Sequence, residues 1–352
     1  MKQQRISAFL TSVIILAAGA AIVLHPQEIS SAVLTSLTLC TDTLLPSLFP
    51  FFVLSSLAIR LDLFRPLSLC LRGVMAVVFH LPGTCAPALI LGIIGGYPTG
   101  AKAAAELYRS GLCSRDETER LLSFCSNCGP AFLFGVVGCG IFASPNCGLL
   151  LAGVHYAAAI LTGFVLNRRG KCPDSRSLPP KAVSVPLTVA FVDSVTGAMR
   201  GMLDLFSFVL CFAAVTQLLS LSGLSGAASR FLLPFLPAKE GEALLLGLLE
   251  MTRGVASLPQ GTLTARLVTA SALIGWGGLS VHCQVLALLR DTDLSAAKYL
   301  QGKLLHSIFS ALLMWGILYN LNLTCLTAGG ALLILPRSIC KKSSGKSAKG
   351  IV

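Results

Sequence analysis

The residues of this chain able to do chemistry gather where apolar segments break. Gly95-Gly96-Tyr97-Pro98-Thr99-Gly100 interrupts one apolar run and leads to Lys102. Ser126-Asn127-Cys128-Gly129-Pro130 is a second break and Glu250-Met251-Thr252-Arg253-Gly254 a third. The fourth, Gly275-Trp276-Gly277-Gly278, is followed by Ser280, His282 and Gln284. The chemistry such breaks offer is binding rather than bond making. A half-helix starting in an apolar environment presents free N–H groups and the positive end of its dipole, which favour an anion. Lys102 and Arg253 add positive charge. Glu250 follows a run of leucines, and an ionisable group at membrane depth costs at least about 2.5 kcal/mol, so it has a partner or a task. Two readings stand level: a site for substrate or coupling ion, or an internal ion pair with Arg253 on a shared helical face. The expected binding residues are Gly95, Gly96, Tyr97, Thr99, Gly100, Lys102, Ser126, Asn127, Glu250, Thr252, Arg253, Gly277, Gly278, Ser280 and Gln284.

Other reactive side chains carry less. Cys125 and Cys128 form a CxxC, but no second pair has zinc-ligand spacing, so neither a metal nor another cofactor is expected. The remaining cysteines, of 13 in all, lie mostly in apolar segments and read as small hydrophobes. His155 and His306 read as helix-packing residues rather than proton relays. For His282 and Gln284 an interhelical hydrogen bond is the plainer reading. No Ser/His/Asp constellation, Walker loop or paired-carboxylate pattern is present, so no catalytic residue and no enzyme is expected.

Such breaks need helices to hold them, and composition says in what solvent. The chain has 54% hydrophobic and only 12% charged residues, with a mean hydropathy of +0.80. Soluble domains carry about 25% charged residues. An all-α polytopic membrane protein in a lipid bilayer is the class that fits. The net charge of +12 is clustered: Lys2 and Arg5; Arg168, Arg169, Lys171, Arg176 and Lys181; then Arg337, Lys341, Lys342, Lys346 and Lys349. Short basic clusters beside apolar spans follow the positive-inside rule. No basic stripe interleaves with aromatics, so nucleic acid is not an expected partner.

The run 6–24 is nearer in length to a spanning helix than to a signal peptide, and makes 1–26 an N-terminal transmembrane anchor. Residues 27–167 form a first unit: an apolar stretch at 45–61, an interfacial or re-entrant helix at 62–80, a short apolar segment at 86–94, a polar helix at 101–110 and an amphipathic helix at 114–124. Ser114 and Glu117 fit a capping box for the last of these. An apolar half-helix at 131–143 and a full span at 149–166 complete the unit. Residues 168–185, rich in Pro and Ser, form a basic cytoplasmic linker. The second unit, 186–322, has a mixed stretch at 186–200, a span at 201–221, short segments at 243–249, 263–274 and 279–289, and a last span at 304–321. Residues 323–352 hold a short apolar segment and a basic tail.

The two units lie on each other with an offset of ~150 residues, as a duplication gives. Leu91-Gly92-Ile93-Ile94 matches Leu246-Gly247-Leu248-Leu249, and His155 sits near the position of His306. The span 149–166 ends at Arg168 and Arg169, which puts its C-terminal end in the cytoplasm. The span 304–321 is preceded by Arg290, Lys298 and Lys303, which puts its N-terminal end there. Matched spans thus run in opposite directions. The expectation is an inverted-topology repeat with discontinuous, re-entrant helices, as in many secondary transporters. The basic tail then lies outside unless 328–335 returns it.

The string Leu91-Gly92-Ile93-Ile94-Gly95-Gly96-Tyr97-Pro98-Thr99-Gly100-Ala101-Lys102 resembles the motif of the YlbJ (SpoVV) family of sporulation integral membrane proteins. The resemblance continues through Glu119-Arg120-Leu121-Leu122-Ser123-Phe124, Asn127, Pro130 and Phe132-Leu133-Phe134-Gly135. It returns at Glu250-Met251-Thr252-Arg253-Gly254 and at 277–285, and covers roughly 44–313. It implies two Gate domains like those of concentrative nucleoside transporters and ferrous-iron transporters. It also implies a role in endospore formation: moving dipicolinate, a small dianion, across the outer forespore membrane. Cys125 and Cys128 depart from the Thr, Ser or Asn usual in that family's second break. Two other functions remain open at this stage: a permease for nucleosides or metal ions, and a non-transporting membrane scaffold for spore assembly.

Overall fold

The structure is a computed structural model that describes residues 2–168, 170, 185–234, 236–259 and 261–319. The expected linker at 168–185, apart from its two ends and Gly170, and the segment and tail at 323–352 lie outside the described residues, with the charges Arg169, Lys171, Arg176, Lys181, Arg337, Lys341, Lys342, Lys346 and Lys349.

Every element among the described residues is helical. In chain order α1 is Lys2–Leu24, α2 Pro26–Leu39, α3 Leu45–Arg60, α4 Arg65–Cys70, α5 Arg72–Phe79, α6 Ala86–Gly95, α7 Thr99–Arg109 and α8 Arg115–Cys125. Then come a π-helix at Phe132–Ile141, α9 Pro145–Asn167, α10 Leu187–Leu221, α11 Leu224–Leu232 and α12 Ala238–Leu249. The last are α13 Met251–Ala256, α14 Leu263–Trp276, α15 Gly278–Leu289 and α16 Ala297–Leu318. Local chemistry sets many starts. Proline occupies the first turn of α2, α3, α4, α6 and α9, where its missing N–H costs nothing. The capping box expected at Ser114 is present: its side chain accepts from Glu117 N while Glu117 accepts from Ser114 N at 2.8 Å.

Among the described residues three helices are long and apolar enough to cross a bilayer: Pro145–Asn167, Leu187–Leu221, and Leu263–Leu289 counted through its break. The number rises to five if two bent pairs each form one span: Thr11–Leu24 with Pro26–Asp42, bent by 95°, and Arg72–Phe79 with Gly83–Gly95, bent by 97°. Large apolar side chains such as Val23, Val77, Leu149, Leu187 and Leu263 are exposed on these helices, as an outer surface in lipid requires. The chain is a helical integral membrane protein.

Three expectations change. The mixed stretch 186–200 and the span 201–221 are one continuous helix, α10, of 35 residues. At 1.5 Å per residue it is ~52 Å long, well beyond the ~30 Å of bilayer hydrocarbon. The last span expected at 304–321 begins earlier, as α16, and does not reach the apolarity of a simple span. Lys298, Lys303 and His306 lie on that helix, which packs against α8, α9 and α14. Lys303 is therefore no flanking charge: it is 1% exposed inside the bundle. Only Arg290 and Lys298 remain as exposed charges for orientation.

One order occurs twice: a helical hairpin (α6–α7, α12–α13), a broken helix (α8 with the π-helix, α14–α15) and an unbroken helix (α9, α16). The two sets pack across each other, α8 on α16 and α14 on α9, α7 on α15 and α13 on the π-helix. Lipid supplies no hydrophobic force between helices, so close approach and hydrogen bonds must hold them. Small buried residues on α7, such as Ala101, Ala103, Ala104 and Ala105, provide the close approach.

Candidate functional site

The breaks are real and they meet. The first lies between α6 and α7, where Gly96 has φ +77°. A Cβ there would sit 2.7 Å from Gly129 N in the second break, so the two stretches of backbone touch. The fourth break is Gly277 and Gly278, at φ +89° and +83°, a left-handed pair that turns α14 into α15. A Cβ on Gly278 would lie 3.0 Å from Met251 N and 3.3 Å from Glu250 Cα, so the third break is pressed on the fourth. Tyr97 ties the first to the fourth by donating to Ile274 O at 3.0 Å.

Broken helices leave backbone groups without partners, and lipid offers none. Aromatic and imidazole side chains supply them here. Tyr156 Oη donates to Cys128 O at 3.0 Å, and Trp276 Nε1 to Leu248 O at 3.1 Å. His155 Nε2 accepts from Cys128 N at 2.9 Å. His306 Nε2 lies 2.9 Å from His155 O, and the two rings are 4.3 Å apart. The two histidines thus pair with each other, and His155 with the second break. His282 Nδ1 lies 2.9 Å from Tyr299 Oη, and its ring packs edge-on against Trp276.

At the meeting of these breaks lies the ammonium of Lys303. It donates to Tyr97 Oη, to Ser126 O at 3.4 Å and to His306 Nδ1 at 3.4 Å. Nζ also sits 4.5 Å from the centre of the Tyr97 ring. In the first two breaks and on α9, several buried polar atoms have no partner in the protein: Thr99 Oγ1, Ser126 Oγ, Asn127 Oδ1 and His155 Nδ1.

Of the residues expected from sequence, Gly96, Tyr97, Ser126, Gly277 and Gly278 make contacts across this junction, and Gly95, Thr99, Gly100 and Asn127 lie beside them in the same breaks. Lys102 points elsewhere. Its ammonium reaches Phe52 O at 3.5 Å and the Phe52 ring, on the side of α3 and α10. One turn on, Glu106 is bound by Ser56 at 2.9 Å and Arg60 at 3.0 Å, and Arg60 also pairs with Asp193. Glu250 and Arg253 do not share a helical face, because the helix stops at Leu249 and Glu250 is extended, with φ −140° and ψ 110°. Its carboxylate accepts from Thr252 N at 3.1 Å and Arg253 N at 2.6 Å, capping α13. The Arg253 guanidinium turns to Gln217 on α10, at 2.7 Å. Ser280 and Gln284 bond each other at 3.4 Å along α15.

Sequence reasoning missed Lys303, taking it for a surface charge. A signal existed: Lys303 and His306 are three apart, hence on one helical face. Cys125 and Cys128 are buried, and among the described residues no three His, Cys, Asp or Glu side chains are grouped to hold a metal ion.

No protein-family model matches the chain, and no solved structure matches it. The chain is similar to the sporulation integral membrane protein YlbJ of Bacillus subtilis (strain 168). The two are 29% identical over 349 residues, covering 91% of this chain and 86% of that protein.

Proposed function

We propose that the protein is a secondary transporter for a small organic anion, with dipicolinate as its substrate, acting in the outer forespore membrane during sporulation. The observation that carries the reading is the stacking of four helix breaks on one another in an apolar bundle. A passive anchor or scaffold has no use for unwound backbone at membrane depth. A transporter does, because broken helices present polar groups to a substrate within the bilayer. The twice-occurring order of hairpin, broken helix and unbroken helix supports a Gate-like, inverted-topology repeat built like a concentrative nucleoside transporter. The reciprocal packing of α8 on α16 and α14 on α9 suits a two-fold relation between the repeats. Similarity to a sporulation membrane protein supports the setting. A coupling ion is part of the proposal, with Glu250 no longer its first candidate, since two amides hold that carboxylate.

The test is genetic and direct. A Bacillus subtilis strain lacking its YlbJ relative is expected to make spores depleted of dipicolinate, and expression of this chain to restore the content. Normal dipicolinate in the deletion strain, or no recovery with the chain present in the membrane, refutes the reading.

A further inference from the structure

Among the described residues most buried charges sit in an ion pair or close to an opposite charge. Glu106 meets Arg60, Arg120 meets Asp116 at 2.8 Å, and Lys102 lies one turn from Glu106 beside the Arg60–Asp193 pair. Lys303 is 1% exposed and has only neutral acceptors: a phenol, a backbone carbonyl and an imidazole. None of the ion pairs among the described residues includes it. Of the 15 acidic residues in the sequence, only Asp174 lies outside the described residues. Three hydrogen bonds solvate the ammonium without cancelling its charge, and an uncancelled charge in a low-dielectric interior is costly.

The surroundings are suited to what would cancel it. His155 Nε2 accepts the Cys128 N–H, so the ring proton is on Nδ1, where it has no partner. His306 donates through Nε2 to His155 O, so its Nδ1 faces Lys303 as an acceptor. The hydroxyls of Ser126 and Thr99, each at most 1% exposed, are also unpartnered. Thr99 opens the 11-residue helix α7, whose positive dipole end lies two residues beyond Tyr97. An ammonium, an unused imidazole N–H, an unused hydroxyl at the start of α7 and another just past the end of α8 are the donor set of a carboxylate site.

We propose that Lys303 anchors the transported anion. One carboxylate of the substrate takes the place of the neutral acceptors on the ammonium, with Ser126, Thr99 and His155 as further donors. This rests on the transport reading and names its site. It shifts the positive charge of binding from Lys102 and Arg253, which point to α3 and α10, to a residue of α16.

The test uses the full chain in detergent and in proteoliposomes, with dipicolinate and its neutral diamide as probes. Wild type is expected to bind and take up dipicolinate and to ignore the diamide. Lys303→Met, similar in length and uncharged, is expected to weaken dipicolinate binding by about 30-fold or more, as loss of a desolvated charge pair does. Lys298→Met, which alters only the exposed ion-pair cluster, is expected to keep the affinity. Without ligand, Lys303→Met is expected to melt no lower than wild type, because it removes an uncancelled buried charge. Binding by Lys303→Met within about threefold of wild type overturns the proposal and leaves transport standing. Collapse or marked destabilisation of Lys303→Met without ligand also overturns it, since Lys303 is then a structural tie. Wild type that neither binds nor moves any carboxylate overturns the transport reading and this site together.

Discussion

Glu250 separates a structural role from a transport role most sharply. Its carboxylate accepts from two amides, Thr252 N and Arg253 N, at the start of α13. Removing it in Glu250→Ala leaves both N–H groups without a partner at membrane depth. Hydrogen bonds to a charged acceptor are worth about 1.5 kcal/mol or more each, and losing an N-cap costs about 0.5–2 kcal/mol. Freeing the bundle of a partly buried carboxylate returns some of this. A net loss of about 2 kcal/mol is expected, or about 4–8 °C in melting temperature at the sensitivity of larger domains. Glu250→Gln keeps one acceptor oxygen and should lose roughly half as much. The assay is thermal unfolding of the purified protein in detergent, read alongside anion uptake in proteoliposomes. A melting temperature unchanged in Glu250→Ala, with uptake abolished, refutes the capping assignment and makes the carboxylate a ligand for substrate or coupling ion.

Three further outcomes follow from the geometry. Gly96→Ala puts a methyl group 2.7 Å from Gly129 N at a φ of +77°, and should cost about 3 kcal/mol and most of the folded yield; a normal yield of stable protein would contradict the stacking of the first two breaks. Glu106→Gln leaves Arg60 with Asp193 alone and should destabilise by about 2–3 kcal/mol, and adding Arg60→Met should recover part of it; no recovery in the double variant argues against the pair. At the exposed end of α8 the Lys298 ammonium, 2.7 Å away, and Arg120 hold the Asp116 carboxyl below its ordinary 3.8. A lowered value means the pair stabilises the fold above the ordinary value and stops doing so as pH falls through the lowered one. Lys298→Ala should thus cost about 0.5 kcal/mol at neutral pH, less in high salt, and nothing in strong acid, as acid unfolding curves would show.

Much of the architecture is legible residue by residue. Composition places the chain in lipid, because 12% charged residues cannot cover a soluble surface. Gly95-Gly96, Asn127 to Pro130 and Gly277-Gly278 mark breaks, since glycine φ and the missing proline N–H act on the chain locally. The Ser114 capping box is equally local. Each of these features is decided within a few residues, so a sequence states it directly.

The chemistry of the site is not local. Lys303 reads as a flanking charge until Tyr97, some two hundred residues earlier, closes over it and Ser126 O and His306 accept its hydrogen bonds. Glu250 and Arg253 read as either a ligand site or an ion pair on a continuing helix. The break at Leu249 instead turns one to its own helix start and the other to Gln217. Lys102 has the right charge at the right break, yet its helix aims it at Phe52. Whether a charge is a surface anchor, a cap or a ligand depends on which opposite charge or dipole lies within about 4 Å of it. Sequence determined where the helices break and that they break in lipid; only the packing of α8, α9, α14 and α16 decided that Lys303 lies inside among the breaks with neutral acceptors alone.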